Sequence, residues 1–285
     1  MAMSPLLALT DDVRIPQLGF GVWRVPASDA TKVVRTAIDA GYRAIDTAAA
    51  YGNESEVGTA IAGCGVPREE LFVTTKLWNA DHGYDAALRA FDRSMAALGL
   101  DRLDLYLIHW PLPKRGTAAD TWRALVKLRD DGRVRAIGVS NFQIPHLREL
   151  IDETGVVPSV NQIELHPWLQ QVALREFHAE QGILTEAWSP LAKGRLLGDE
   201  PVTALAAKYG KSPAQIVLRW HLQLGTVVIP KSATPARIRE NLDVFDFELA
   251  EDDLAVLGEL DNGTRTGPDP ETFDLTSTLG DVRRP

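Results

Sequence analysis

The sequence predicts a single α/β domain, a closed (β/α)8 barrel, on the strength of three observations. Short apolar, β-branched segments alternate with longer amphipathic segments, which is typical of βαβ units in a parallel sheet. The 285 residues hold eight such units, and about 250 residues are typical of an eight-stranded barrel. No Pro-, Gly- or Ser-rich linker divides the chain. We therefore expect one domain over residues 1–285.

The predicted strands share apolar runs, as expected of strands covered on both faces. In chain order they are Gln17–Gly21, Tyr42–Asp46, Leu71–Lys76, Leu103–His109, Val134–Ser140, Ser159–Ile163, Ile183–Ser189 and Thr226–Pro230. Predicted helices between them include Ala30–Ala40, Asp85–Leu98, Thr121–Asp130, Pro145–Thr154 and Pro213–Leu224. Helix-start signals are Ser28 before Asp29, and Ser212 with Pro213 at the first helical position.

The two ends of the chain depart from the repeating pattern. We expect Leu6–Ile15 to form a short hairpin that closes the floor of the barrel. After Asp261 the sequence turns to Gly, Pro, Asp and Thr, which predicts an irregular C-terminal tail.

An open, doubly wound sheet is the rival architecture, and it normally carries a G-x-G-x-x-G turn after an early strand. The nearest candidate here begins at Gly19 and ends on Arg24. The Gly210-Lys211-Ser212 segment imitates a phosphate-binding loop, but Leu205 stands where its first glycine belongs. We reject both motifs, and the barrel remains the prediction.

Composition excludes several classes of partner. The chain has 30 Lys and Arg against 39 Asp and Glu, a net charge of −9, whereas general nucleic-acid or anionic-membrane binders need the opposite balance. No apolar run approaches the roughly 18 residues of a membrane span, and no secretory signal is visible. The single Cys64 cannot form an internal disulfide and fits a reducing compartment. We expect a cytoplasmic protein.

Four reactive side chains lie at or after predicted strand ends. Asp46 ends the second strand, Lys76 the third and His109 the fourth, and Tyr51 follows Asp46 by five residues. Three have an ordinary structural explanation: Asp46 as a helix cap, Tyr51 as a cover for a helix start, and His109 as a core histidine. Lys76 is harder to explain in this way, because a lysine in a barrel mouth rarely stays buried without a partner. In a barrel, however, the carboxyl ends of the strands form the active-site face. We therefore expect the four to converge there.

These four groups suit proton donation to a carbonyl oxygen. A phenol is a weak acid at neutral pH, and an adjacent Lys76 ammonium favours loss of the Tyr51 proton. Asp46 would keep that ammonium charged, and His109 could orient the carbonyl. Such a site needs an external hydride donor, and nicotinamide is the economical choice.

Five ordered blocks of sequence stand out: Ile45–Glu54, Leu105–Pro111, Gly138–Phe142, Asn161–Pro167 and Pro230–Ser232. Together they resemble one family, the NAD(P)H-dependent aldo-keto reductases, which are (β/α)8 barrels. The resemblance runs from about Val13 to Asp261, and Asn241–Phe247 most resembles the bacterial group that contains 2,5-diketo-D-gluconate reductases.

The resemblance implies roles for the four strand-end residues and for a cofactor site. Tyr51 is implied as general acid, tuned by Lys76 and Asp46, with His109 orienting the substrate. The residues implied to hold the nicotinamide half are Ser140, Asn141 and Gln162 at the carboxamide, Trp188 stacked on the ring, and Ser189 and Leu191. Many relatives have Tyr at the position of Trp188, and either ring can stack.

The resemblance also implies a pocket for an adenosine 2′-phosphate. Lys231 and Arg237 supply the point charge and planar donor fork that suit a phosphate, and Ser232 adds a hydroxyl. Glu240 and Asn241 match positions that hold the adenine edge. The alternative is that both basic residues are solvated surface charges. In a chain of charge −9 the phosphate interpretation is favoured, and it predicts NADPH/NADP+ as the cofactor.

Aromatic side chains at strand ends predict the wall of a substrate pocket. Trp23, Trp78 and Trp110 each follow a predicted strand, and small-ligand sites are largely apolar. His166 is expected to be structural. With no HExxH motif or Cys cluster, a catalytic metal is not supported.

The sequence thus predicts an NADPH-dependent reductase of aldehydes and ketones, with a small carbonyl compound as its partner. The alternative is a noncatalytic NADP(H)-binding barrel with a regulatory or structural role. Sugar-derived diketones, methylglyoxal and aromatic aldehydes all remain candidate substrates. The oligomeric state stays open, and a monomer is compatible with the sequence.

Overall fold

The computed structural model describes residues 4–275, and eight parallel strands form its centre. The strands, in chain order, are β1 (Leu6–Ala8), β2 (Arg14–Pro16), β3 (Phe20–Gly21), β4 (Ala44–Asp46), β5 (Phe72–Leu77), β6 (Leu103–Ile108), β7 (Val134–Ser140), β8 (Val160–Glu164), β9 (Leu184–Trp188) and β10 (Val227–Val228). Strands β3 to β10 pair in sequence order. A parallel bridge from Leu18 to Val228 joins the two ends of the sheet, so the predicted barrel is confirmed.

Helices follow the strands and cover the outside of the barrel. They are α1 (Ala27–Ala40), α2 (Glu54–Ala62), α3 (Tyr84–Leu98), α4 (Ala118–Asp130), α5 (Ile144–Thr154), α6 (Val172–Gln181), α7 (Glu200–Tyr209), α8 (Pro213–Gln223), α9 (Pro235–Leu242) and α10 (Glu251–Gly258). The main apolar core lies between the strands and these helices, where side chains such as Phe91, Tyr106 and Trp122 are fully buried.

The predicted strands and helices are all present, with shifts of a few residues at their ends. The largest difference is in the two strands that meet at the barrel's seam: β3 and β10 have two residues each, where five were predicted for each. Their flanking residues still exchange backbone hydrogen bonds, since Gly19 N donates to Val228 O and Val228 N donates to Gln17 O.

One of the two helix-start predictions is confirmed and one is wrong. The Ser212 Oγ accepts from Gln215 N, and Gln215 Oε1 accepts from Ser212 N, so a capping box starts α8. Helix α1 instead begins at Ala27, ahead of Ser28, and no side chain caps it. There the carbonyl of Pro26 accepts the first backbone N–H groups.

The N-terminal hairpin closes the floor of the barrel, as predicted. Strands β1 and β2 pair antiparallel, with Leu7 opposite Ile15. Leu9, Val13 and Ile15 are buried against side chains inside the barrel, including Phe72 and Leu105. Because the hairpin seals this end, access is left to the opposite end, where the strands terminate at their carboxyl ends.

The packing inside the barrel needs a residue without a side chain at Gly138 on β7. A Cβ built there would lie 2.5 Å from Val160 Cγ1 and 2.6 Å from the Val160 carbonyl oxygen on β8. Glycine permits this close approach of the two strands. It also lets β7 bring Ser140 to the end where Gln162 of β8 lies, because these two residues are paired in register.

The tail after Asp261 contains no helix or strand over residues 262–275, as predicted for that part; residues 276–285 lie outside the described residues. This segment crosses the carboxyl ends of the strands. No helix within residues 4–275 is long and apolar enough to cross a membrane.

Candidate active site

A buried ion pair lies at the carboxyl ends of β4 and β5. Lys76 Nζ donates to Asp46 Oδ1 at 2.6 Å and to the Thr47 carbonyl oxygen at 2.9 Å. Gln162 Nε2 donates to the other Asp46 oxygen at 2.9 Å. Lys76 is 0% exposed and Asp46 3%. Such a pair holds its geometry only where the remaining polar atoms also find partners, as those of Asp46 do here.

Tyr51 and His109 lie against this pair. Tyr51 ends a 3₁₀ turn at Ala49–Tyr51 that follows β4, and its ring centroid is 5.2 Å from Lys76 Nζ. The His109 ring, just beyond β6, meets the Tyr51 ring edge-on with centroids 5.8 Å apart. Asp46, Tyr51 and His109 line one cavity, with Lys76 behind them. The four residues that the sequence singled out therefore lie together.

The surroundings shift the ionisation of three of these groups. Burial raises the pKa of Tyr51 to about 12, although the Lys76 ammonium acts in the opposite direction. Burial alone would lower the pKa of Lys76, but the charges of Asp46 and Tyr51 outweigh it and raise that pKa. Burial, and then the Lys76 charge, hold the pKa of His109 well below its ordinary value. At neutral pH the site therefore holds a phenol, an ammonium and a neutral imidazole.

The cavity has a volume of about 430 Å³ and a largely aromatic wall. The three tryptophans predicted to line it, Trp23, Trp78 and Trp110, all do so. Trp188 and Phe273 also contribute to the wall. The rings of Trp110 and Phe273 are 4.3 Å apart at their centroids. Ligand cavities of this size are commonly apolar with a few convergent polar groups, and here those groups include Tyr51 and His109.

The residues predicted to hold a nicotinamide lie on one side of this cavity. Ser140, Asn141, Gln162 and Trp188 all line it. Trp188 Nε1 donates to Asn141 Oδ1 at 2.8 Å, and Asn141 Nδ2 donates to the His109 carbonyl oxygen at 2.9 Å. Asn141 has φ +67°, a conformation that asparagine tolerates better than most residues. This network joins the ends of β6, β7 and β9.

A second cavity of about 590 Å³ adjoins the first. Both are lined by Trp23, Arg24, Ser189 and Lys193. The remaining residues predicted to bind the cofactor all line the second cavity: Ser189, Leu191, Lys231, Ser232, Arg237, Glu240 and Asn241. The two joined spaces thus present nicotinamide-type contacts at one end and phosphate-type contacts at the other, which fits an extended dinucleotide.

Cations dominate the charge of the second cavity. Lys231 and Arg237 form no ion pair with any carboxylate among residues 4–275. Burial, followed by the charge of Arg24, lowers the pKa of Lys231. An anion placed between these groups would relieve their mutual repulsion and gain charge-assisted hydrogen bonds.

The tail is fastened over the cavity by Glu164, at the end of β8. Its Oε1 accepts hydrogen bonds from the Thr266 backbone N at 2.6 Å, from the Thr266 hydroxyl at 2.5 Å and from Gly267 N at 3.1 Å. His166 contacts the same oxygen at 3.2 Å and is fully buried, in agreement with its expected structural role. Further along, Asn79 Nδ2 donates to the Leu275 carbonyl oxygen at 2.7 Å.

Sequence reasoning missed several residues of the site. Glu186, on β9, is buried beside Asp46 and Lys76. A signal existed, because Glu186 is two positions before Trp188 and alternate strand residues share a face. Arg24 and Lys193 line both cavities and flank the Trp23 ring. Among the described residues, no cluster of three or more His, Cys, Asp or Glu side chains is arranged to hold a metal.

Comparison with known proteins identifies a matching family. The model of the "Aldo/keto reductase family" matches residues 17–262. An aldo-keto reductase of Mycolicibacterium smegmatis is 58% identical over 96% of this chain and 100% of its own length. Methylglyoxal reductase DkgA of Yersinia pestis is 53% identical, over 96% of this chain and 99% of its own. A crystal structure of a Gox0644 mutant in complex with NADPH superposes with a TM-score of 0.93 at 49% identity, covering 96% of this chain and 100% of that one.

The buried Lys76–Asp46 pair leads to a prediction about the free energy of unfolding. Lys76→Met removes the ammonium and leaves the Asp46 carboxylate buried with Gln162 as its remaining side-chain donor. We expect the free energy of unfolding to fall by about 3–5 kcal/mol, the usual effect of breaking a buried pair, as measured by urea denaturation. Adding Asp46→Asn should recover part of the loss, because the uncompensated charge is then gone.

The control is Lys208→Met. Lys208 also pairs with an aspartate, Asp253, at 2.8 Å, but its side chain is 57% exposed. Solvent screens such a pair, so the change should be much smaller. If the free energy of unfolding fell equally in the two variants, the buried Lys76 would stabilise the protein no more than the exposed Lys208 does.

Proposed function

The chain belongs to the aldo/keto reductase family, and on that premise we propose that it reduces aldehydes and ketones with Tyr51 as the proton donor. It is an NADPH-dependent oxidoreductase acting on carbonyl compounds, which sets aside the noncatalytic alternative. The observation that carries the proposal is the Tyr51 phenol, which lines an aromatic cavity with the buried Lys76–Asp46 pair directly behind it.

NADPH, when bound, supplies the hydride that the carbonyl carbon accepts. We propose that Ser140, Asn141, Gln162 and Trp188 hold its nicotinamide, because they line the first cavity beside Tyr51. The proposed contacts in the second cavity are Lys231, Ser232 and Arg237 at the 2′-phosphate, Glu240 and Asn241 at the adenine, and Ser189 and Leu191 between the two ends.

Gln162 has a second task in this proposal. Its Nε2 already donates to Asp46 at 2.9 Å, so its amide oxygen is the atom left to accept from a carboxamide N–H. Gln162 would then connect the cofactor's amide to the carboxylate of the ion pair. That connection would orient the nicotinamide relative to Tyr51.

Tyr51 transfers its proton to the carbonyl oxygen as negative charge develops there. Burial holds the pKa of the phenol at about 12, so the proton is in place at neutral pH. The Lys76 ammonium stabilises the phenolate that remains, and Asp46 keeps Lys76 charged by hydrogen bonding to it. The carbonyl compound thus gains a hydride on carbon and a proton on oxygen and becomes the alcohol.

His109 orients the carbonyl in this scheme. Its imidazole is neutral, because burial and Lys76 keep its pKa low, so it can donate one hydrogen bond without adding charge to the site. The edge-on packing of Trp78 at 5.2 Å and Tyr51 at 5.8 Å fixes the plane of the ring. A fixed donor at the developing oxyanion is an effective catalytic arrangement.

The substrate is proposed to be a small, reactive carbonyl compound in the cytoplasm. The cavity wall is mainly indole and phenyl surface, as is common in sites for small organic ligands. Methylglyoxal is the first compound to test, because the 53% identical relative from Yersinia pestis is named for that reaction. A panel that includes sugar-derived diketones and aromatic aldehydes, compared by kcat/KM, identifies the preferred class.

Tyr51→Phe tests the proton donor. The variant keeps the ring and removes the acidic hydroxyl, so kcat should fall by a factor of about 10² to 10⁴, while NADPH binding stays nearly unchanged. The measurement is NADPH consumption with methylglyoxal, together with a fluorescence titration of the cofactor. Tyr84→Phe, on the exposed surface of α3, is the matched control. More than a tenth of the parent rate in Tyr51→Phe would refute the assignment.

Arg237→Ala tests the proposed phosphate pocket. A charge-assisted hydrogen bond contributes about 1.5–3 kcal/mol, so the Kd for NADPH should rise roughly ten- to a hundredfold, while the Kd for NADH hardly changes. Fluorescence titration with both cofactors measures the two constants. Arg239→Ala is the control, because it lies on the same helix α9 but does not line the cavity. Equal losses for both cofactors would show that Arg237 supports the fold and does not recognise the phosphate.

A further inference from the structure

Glu186 is a buried carboxyl group for which the proposed mechanism has no use. It lies in the middle of β9, opposite Gln162 of β8 and Val227 of β10, and is 1% exposed. Its Oε2 atom has no hydrogen-bond partner among the described residues. A carboxyl oxygen without a partner in the interior is costly if the group is ionised.

The charges around Glu186 do not balance if every group is ionised. The groups that act on it are Asp46 of β4, Lys76 of β5 and the amide of Gln162 of β8, and Tyr51, from the turn after β4, is affected by it in return. Lys76 supplies one positive charge, whereas Asp46 and Glu186 would supply two negative charges. The excess charge would be carried by side chains that are at most 3% exposed, and a buried charge without a partner is disfavoured.

One proton restores neutrality, and the hydrogen bonds decide where it resides. Both oxygens of Asp46 already accept hydrogen bonds, one from Lys76 and one from Gln162, so Asp46 is stabilised as the carboxylate. Glu186 interacts with the same Gln162 amide and the same Lys76 charge but has no cation of its own among the described residues, and its Oε2 has no donor. The proton therefore belongs on Glu186.

We propose that Glu186 is a positioning residue that carries a proton in the active enzyme, and that loss of this proton makes Tyr51 a weaker acid. The inference rests on Tyr51 being the proton donor. An ionised Glu186 would add negative charge beside Lys76 and offset the ammonium that stabilises the phenolate. The protonated form leaves Lys76 free to act on Tyr51.

The shifts in the pKa values of Glu186 and Tyr51 agree with this assignment. Burial, and then the charge of Asp46, raise the pKa of Glu186 to about 8. The charge of Glu186 in turn raises the pKa of Tyr51. Both effects predict that carbonyl reduction declines as the pH rises through about 8.

Infrared difference spectroscopy of the unmodified enzyme, without substrate, tests the proton itself. Spectra recorded below and above about pH 8 should show a protonated carboxyl band that disappears on the alkaline side. The band should be missing in Glu186→Gln. It should persist in Glu54→Gln, which removes a half-buried carboxyl whose oxygens instead accept hydrogen bonds from Thr75 and Ser94. A band that is absent from the parent, or that survives in Glu186→Gln, overturns the proposal.

Thermal unfolding gives a second readout that needs no activity. The pKa of Glu186 is raised from 4.5 to about 8 in the folded state, so the unfolded chain releases this proton first, and stability falls as the pH rises from about 4.5 to about 8 and levels off above. The Tm of the parent should therefore fall relative to that of Glu186→Gln between these two pH values. Parallel Tm curves for the two proteins would contradict the proposal.

The pH dependence of kcat tests the link to Tyr51. We expect the parent to lose roughly three- to tenfold in kcat on crossing about pH 8, as a modest weakening of the acid requires, with KM little changed. Glu186→Gln should stay flat over the same range. Identical profiles in parent and variant would break the link, even if the infrared band is present. Failure of the Tyr51 assignment is recognised separately, because Tyr51→Phe would then stay active while the band still reports the Glu186 proton.

Discussion

A lysine ammonium and an aspartate carboxylate meet inside the barrel, where Lys76 is 0% and Asp46 3% exposed. Neither charge is stable there alone, so each fixes the position of the other, and the ends of β4 and β5 are fixed with them. Tyr51 and His109 take their electrostatic environment from burial and from this pair: the Lys76 ammonium lowers the pKa of the Tyr51 phenol against the larger effect of burial, and it helps to keep His109 neutral. Because the interior has a low dielectric, each of the two charges needs the other, and both act more strongly on Tyr51 and His109 than they would in water.

The C-terminal tail provides the second constraint on the site. Glu164 binds Thr266 and Gly267 through one carboxylate, and Phe273 then packs on Trp110. Over residues 262–275 the tail contains no helix or strand, so these contacts, together with those of Asn79 and Arg115, hold it in place. The cavity wall is consequently built from residues more than 100 positions apart in the chain. Its shape depends on the Glu164 carboxylate, which is separate from Tyr51 and from the Lys76–Asp46 pair.

Most of the barrel could be predicted because each strand and helix carries a local pattern, and barrel topology then brings strand ends together. That reasoning was sufficient for Asp46, Lys76 and His109. It was insufficient for Glu186, since a single acidic residue in a short strand reveals its neighbours only once β4, β5 and β9 are placed. The contacts of Glu164 with the tail could not be predicted either, because they depend on where the tail lies relative to β8. The helix start predicted at Ser28 is wrong because the backbone carbonyl of Pro26 accepts the first N–H groups of α1, so no side-chain cap is needed.

Lys76 stays an ammonium although it is fully buried, and side-chain nitrogen NMR of the folded protein can follow its proton. The opposing charges of Asp46 and Tyr51 overcome burial and raise the pKa of Lys76. Burial and Arg24 lower the pKa of Lys231, which makes Lys231 an internal reference. We predict that, as the pH rises, Lys231 Nζ loses its proton before Lys76 Nζ. Deprotonation of Lys76 before Lys231 would show instead that burial outweighs the charge of Asp46.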